Sequence, residues 1–112
     1  MLISFVVRRF QGGLVPRKAR RELVVNLLSQ HPDPVANAFP GLVGDELFHA
    51  IEQRIEVVGR KAVSIAPSNA DVWTGPVVAQ AVAALIEEEH DQHMQDFYRC
   101  LLMRIAQDWY GS

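Results

Sequence analysis

At 112 residues, 49% hydrophobic and 21% charged, the chain is too apolar for disorder and large enough for one core without disulfides or metal, so residues 1–112 are expected to form a single domain. Cys100 is the single cysteine, which excludes an intrachain disulfide, and no apolar run approaches the ~20 residues of a membrane-spanning helix. The net charge of −2 hides a division: residues 1–21 carry +6 from Arg8, Arg9, Arg17, Lys18, Arg20 and Arg21 with no acid, leaving −8 (five basic against thirteen acidic residues) for residues 22–112.

Residues 2–10 are rich in Ile, Phe and Val in loose alternation, which fits a short N-terminal strand or a short helix. Gln11-Gly12-Gly13 breaks that element. The apolar start lacks the preceding cations of a signal peptide, and the cytoplasm is the expected compartment. Pro16 suits the first turn of a helix running to Ser29, with Leu23, Val24, Leu27 and Leu28 as its apolar residues. The segment His31-Pro32-Asp33-Pro34 ends it, Asp33 is placed to cap a short turn through Ala38, and Pro40-Gly41 breaks the chain again.

Phe48, Ile51, Ile55, Val58, Ala62 and Ile65 recur at spacings of 3, 4, 3, 4 and 3 residues, the seam of an amphipathic helix, and Asp45 near its start complements the helix dipole. Gly59 and its β-branched neighbours weaken the far end, where a hairpin over residues 54–65 is the alternative to the favoured helix. Residues 66–76 read as a loop, marked by Pro67, Ser68, Asn69 and Gly75, with Trp73 packing onto the core.

From Val77 to Tyr110 there is neither Gly nor Pro. A straight helix of that length would reach about 50 Å, against about 35 Å expected for the whole domain. Its apolar side also shifts: Val78, Ala81, Val82 and Leu85 cluster on one side, while Met94, Phe97, Leu101, Ile105 and Trp109 lie nearly opposite. The switch falls in the polar run from Glu87 to His93. Either the helix breaks there and folds back, or it stays straight and buries each half against a different partner. The lack of a breaker residue favours the straight helix, and with it a homodimer.

Three constellations bear on chemistry. Arg17, Lys18, Arg20 and Arg21 stand at the positive end of their helix, where local stability does not favour cations. They can pair with the chain's own acids at Glu87–Asp91, stay simply solvated, meet an acidic protein surface, or neutralise nucleic-acid phosphates, a less favoured partner because the body is acidic and no nucleic-acid-binding motif is present. Next, Glu46…His49 and Glu87…His90 share a spacing that puts both side chains on one helix face, the pattern of di-metal bundles, with Glu22, Glu52, Glu56 and His93 as nominal additional ligands. Seven glutamates make such spacings unremarkable, and no metal or cofactor is assigned. Cys100 lies seven and ten residues along the same helix from His93 and His90, about 10 Å or more along the axis, so no thiol–imidazole pair forms and no catalytic residue is assigned. Finally, Phe97, Tyr98, Leu101, Leu102, Ile105, Trp109 and Tyr110 cover more than half of their helix, as interface anchors do.

The expected fold is therefore all-α or mainly α, a small bundle of four to five helices with a long C-terminal helix and room for one short N-terminal strand. It joins a basic arm (1–21) to an acidic helical body (22–112). The expected role is a non-enzymatic protein-binding regulator or adaptor, antagonising a transcription regulator or working within a larger assembly. Arg17, Lys18, Arg20, Arg21, Val24, Leu28, Phe97, Leu101, Ile105 and Trp109 are the expected contacts, the partner's surface is acidic, and no membrane is involved. A nucleic-acid binder and a small di-metal bundle are the alternatives.

Overall fold

The computed structural model describes residues 17–66 and 75–110, with side chains of the last helix up to Gln107. The candidate strand at residues 2–10, Trp73, and the side chains of Trp109 and Tyr110 lie outside that set. Five helices and no strand are found among the described residues: α1 (Arg17–Gln30), α2 (Pro32–Ala38), α3 (Gly44–Ile65), α4 (Gly75–Glu88) and α5 (Gln92–Tyr110). The chain is an all-α bundle in which α3 packs between α1 and α4, and α5 packs against α4, α2 and α1.

Each boundary has a local cause. Pro32 occupies the first turn of α2, where its missing N–H costs nothing, and Asp33 in that turn complements the dipole instead of capping it. Phe39, Pro40, Gly41 and Leu42 make a tight turn closed by the Leu42 N–H on the Phe39 carbonyl at 3.3 Å. Gly41 has φ +83°, the left-handed conformation a Pro-Gly turn requires of its third residue. Helix α3 runs unbroken through residues 54–65, so the hairpin alternative is excluded. Its seam is inward at Ile51, Ile55, Val58 and Ala62, all 0% exposed, whereas Ile65 at its end is 38% exposed.

The straight helix from 77 to 110 does not form. The chain leaves α4 after Glu88, crosses Glu89, His90 and Asp91, and re-enters helix at Gln92. No glycine or proline is needed, because polar side chains satisfy the freed backbone. Asp91 Oδ1 accepts the His93 N–H at 3.0 Å, which is an N-cap bond, and Glu89 Oε2 accepts the Asp91 N–H at 3.2 Å. Gln95 Nε2 donates to the carbonyls of Ile86 and Glu89 at 3.2 and 2.6 Å, covering acceptors at the end of α4. The reversal lets the two nearly opposite apolar faces share one core: Val78, Ala81 and Val82 from α4 meet Met94, Phe97, Tyr98, Leu101 and Ile105 from α5. The longest dimension is 38 Å, shorter than the straight helix would have been. With both faces used inside one chain, the split-faced helix no longer argues for a dimer.

The aromatic centre of this core is ordered by ring geometry. Phe39 meets Phe97 edge to face at 5.2 Å and 86°, and Tyr98 lies 5.7 Å from Phe97. Tyr98 is 1% exposed, and its hydroxyl accepts a hydrogen bond from Arg54 Nη1 at 3.3 Å. That contact gives a buried phenol its polar partner and ties α5 to α3.

Candidate functional site

Helix α1 buries Ala19, Leu23, Val24 and Leu27. At 100° per residue, Arg17, Lys18, Arg21, Val25 and Leu28 fall within roughly a third of the circumference outside that stripe, with exposed Ser29 and Glu22 next to Lys18. Arg17, Lys18 and Arg21 are exposed, Val25 keeps 57% of its surface in water, and Leu28 is half-buried. Arg21 also stacks over the half-buried ring of Phe48 in α3, its guanidinium carbon 5.3 Å from the centroid. Among the described residues, none of these three cations has an ion-pair partner.

Arg20, from the same basic cluster, is used differently. Its Nε lies 2.9 Å from Glu52 Oε2 and its Nη1 3.5 Å from Glu56 Oε2, so it locks α1 to α3. The chain's own acids thus neutralise one cation of the arm, and they come from α3, not from Glu87–Asp91.

The ten expected contact residues divide accordingly. Arg17, Lys18, Arg21 and Leu28 converge on the outer side of α1. Val24, Phe97 and Leu101 are 0% exposed and Ile105 is 5% exposed, so these four belong to the chain's own core and present no surface to a partner. Arg20 belongs to the α1–α3 ion pair, and the Trp109 side chain lies outside the described residues. Wide apolar coverage on α5 reflects contact with several helices, as a central helix requires. Sequence reasoning missed Val25. A helical wheel would have found it, since it sits seven residues from Lys18 and four from Arg21, on their side of the helix.

The Glu-x-x-His positions do not converge. Glu52 and Glu56 face the Arg20 guanidinium, and exposed His49 lies 3.3 Å from Gln53 Nε2 and 3.9 Å from Glu52 Oε1. Glu87 is in α4 while His90 falls in the corner after it, which breaks the helical spacing. Among the described residues no three His, Cys, Asp or Glu side chains are grouped to hold a metal ion. Cys100 is half-buried; desolvation first, and the nearby Asp96 carboxylate second, raise its thiol pKa above the ordinary value. A smaller thiolate fraction is the opposite of what a nucleophilic cysteine needs. No described helix is long and apolar enough to cross a membrane.

Comparison with protein-family models, with curated proteins and with solved structures returns no match to this chain.

Proposed function

We propose that this chain is a non-enzymatic protein-binding regulator or adaptor, and that the outer side of α1 is the surface it offers to an acidic partner. Carrying this reading is one juxtaposition: Arg17, Lys18 and Arg21 stand together, three cations against the single acid Glu22 on that side, beside an exposed valine, on a chain whose remaining residues are net acidic. Exposed cations steer an acidic surface into place, and Val25 with Leu28 supplies apolar area to exclude water once it arrives. Arg21 held against Phe48 is partly ordered before binding, which lowers the entropy lost on contact. Antagonism of a transcription regulator and a place within a larger assembly are both uses to which such a surface is suited.

The test is affinity purification with the wild-type chain and with an Arg21→Glu, Val25→Asp variant, before and after nuclease treatment. Proteins recovered by the wild type alone, and unaffected by nuclease, support the reading. Recovery that disappears with nuclease indicates nucleic acid instead; phosphate contacts by three cations would then give a log–log salt slope of about −2.7. Identical recovery by both chains would sink the α1 surface as the site.

A further inference from the structure

We propose that the outer side of α1 is also met by a second copy of this chain, through the acidic corner between α4 and α5. This rests on the reading of α1 as a docking face, and it names an occupant for that face.

The ion pairs within one chain determine which charges are left over. Arg20 is engaged by Glu52 and Glu56, Lys61 by Glu88, and Arg99 by Asp96, while Arg54 donates to Tyr98. Arg17, Lys18 and Arg21 remain as a group within five residues of one helix, about 6 Å along its axis, and exposed Arg60 on α3 is a lone fourth without an acid partner among the described residues. On the acidic side, Glu22, Asp33, Asp45, Glu46, Glu87, Glu89 and Asp91 have no cationic partner among the described residues, and Glu87, Glu89 and Asp91 are the densest group of them. They too lie within five residues, at a corner where Glu87 to His93 are exposed except for half-exposed Glu89.

This corner is rigid enough to be a surface. Glu89 and Asp91 are pinned by bonds from the Asp91 and His93 N–H groups, and Gln95 holds the two helix ends together. Accepting a backbone N–H leaves each carboxylate its charge and further lone pairs for an incoming guanidinium. Two compact patches of opposite charge and similar extent, without ion pairs among the described residues of one copy, complement each other between copies. On α1 the incoming acids also offset the mutual repulsion of three cations near a helix N-terminus. Since the contact is exposed, it is salt-sensitive: screening acts over about 8 Å at physiological ionic strength. While a second copy occupies α1, another acidic partner is excluded from it, so self-association regulates access to the same surface.

Native mass spectrometry and sedimentation of three chains test this at low and high salt. One is wild type; one carries Arg17→Glu, Lys18→Glu and Arg21→Glu; one carries Glu87→Lys and Glu89→Lys, leaving the Asp91 cap intact. The wild type is expected to dimerise at low salt and dissociate at high salt, and each reversal to weaken association by about tenfold or more. An equimolar mixture of the two reversed chains restores the pairing, with the mass of one copy of each. Circular dichroism checks that each variant keeps its helices; a reversed chain that loses them is replaced by its Gln counterpart, which removes the charge without reversing it. A monomeric wild type, reversed chains that dimerise normally, or a mixture that stays monomeric would each overturn the proposal. Binding of polyglutamate separates the two ideas. A wild type that is monomeric yet binds polyglutamate through Arg17, Lys18 and Arg21 loses the self-association but keeps the docking face. Without polyglutamate binding, both fall.

Discussion

Arg20 Nε stands 2.9 Å from Glu52 Oε2 across 32 residues of chain, and that ion pair separates one structural cation of the basic cluster from three available ones. Arg20 turns inward to α3, while Arg17, Lys18 and Arg21 turn to solvent. Four residues that look alike in sequence therefore have different stability consequences.

Replacing Arg20 by Ala leaves Glu52 and Glu56 facing each other with little solvent, and is expected to cost roughly 1 kcal/mol, discounted for screening because the pair keeps 22% and 18% exposure. Arg17→Ala is expected to change stability by less than about 0.5 kcal/mol, the range for exposed sites. Urea unfolding of both variants checks this, and equal effects would contradict the division.

Asp91→Ala removes the cap that starts α5 and is expected to cost about 1 kcal/mol. Gln95→Leu should cost at least as much, because two carbonyls at the end of α4 lose one shared donor. Hydrogen exchange across residues 86–95 is the readout: both variants should accelerate local opening there, and unchanged protection would show that the corner is held by packing alone.

At the centre of the core, Phe97→Ala is expected to cost about 3–5 kcal/mol through lost burial and a residual cavity. Tyr98→Phe keeps the ring but strands the Arg54 bond, with an expected loss of about 1 kcal/mol. Thermal melts of the two should differ clearly in midpoint; similar midpoints would mean that the Arg54–Tyr98 contact weighs as much as the ring packing.

Cys100 should alkylate slowly at neutral pH and faster as pH rises, since a raised thiol pKa moves thiolate formation upward. Burial is the larger cause, so Asp96→Asn should increase the rate only partly. Iodoacetamide kinetics against pH provide the measurement, and a pH–rate curve unmoved by Asp96→Asn would remove the carboxylate from the explanation.

Much of this fold was legible in local chemistry. The spacing from Phe48 to Ile65 predicts α3, and the Pro and Gly positions predict the breaks around α2, because 3.6-residue periodicity and backbone restriction act within a few residues. Even the α4–α5 reversal left a trace, in the jump of the apolar face and in Asp91 as an available cap. Its direction was not legible: a capped corner and a continuous helix have similar local propensity, and the difference comes from burying two apolar faces in one core instead of leaving one in water. The same limit applies to the surface. Sequence alone determined that residues 1–21 are basic and the remainder acidic, since charge is carried by residue identity. Only tertiary structure decided that Arg20 is consumed by Glu52, that Val24 is core while Val25 is exposed, and that Phe97, Leu101 and Ile105 face inward, because those outcomes depend on which helix lies alongside and not on the residues themselves.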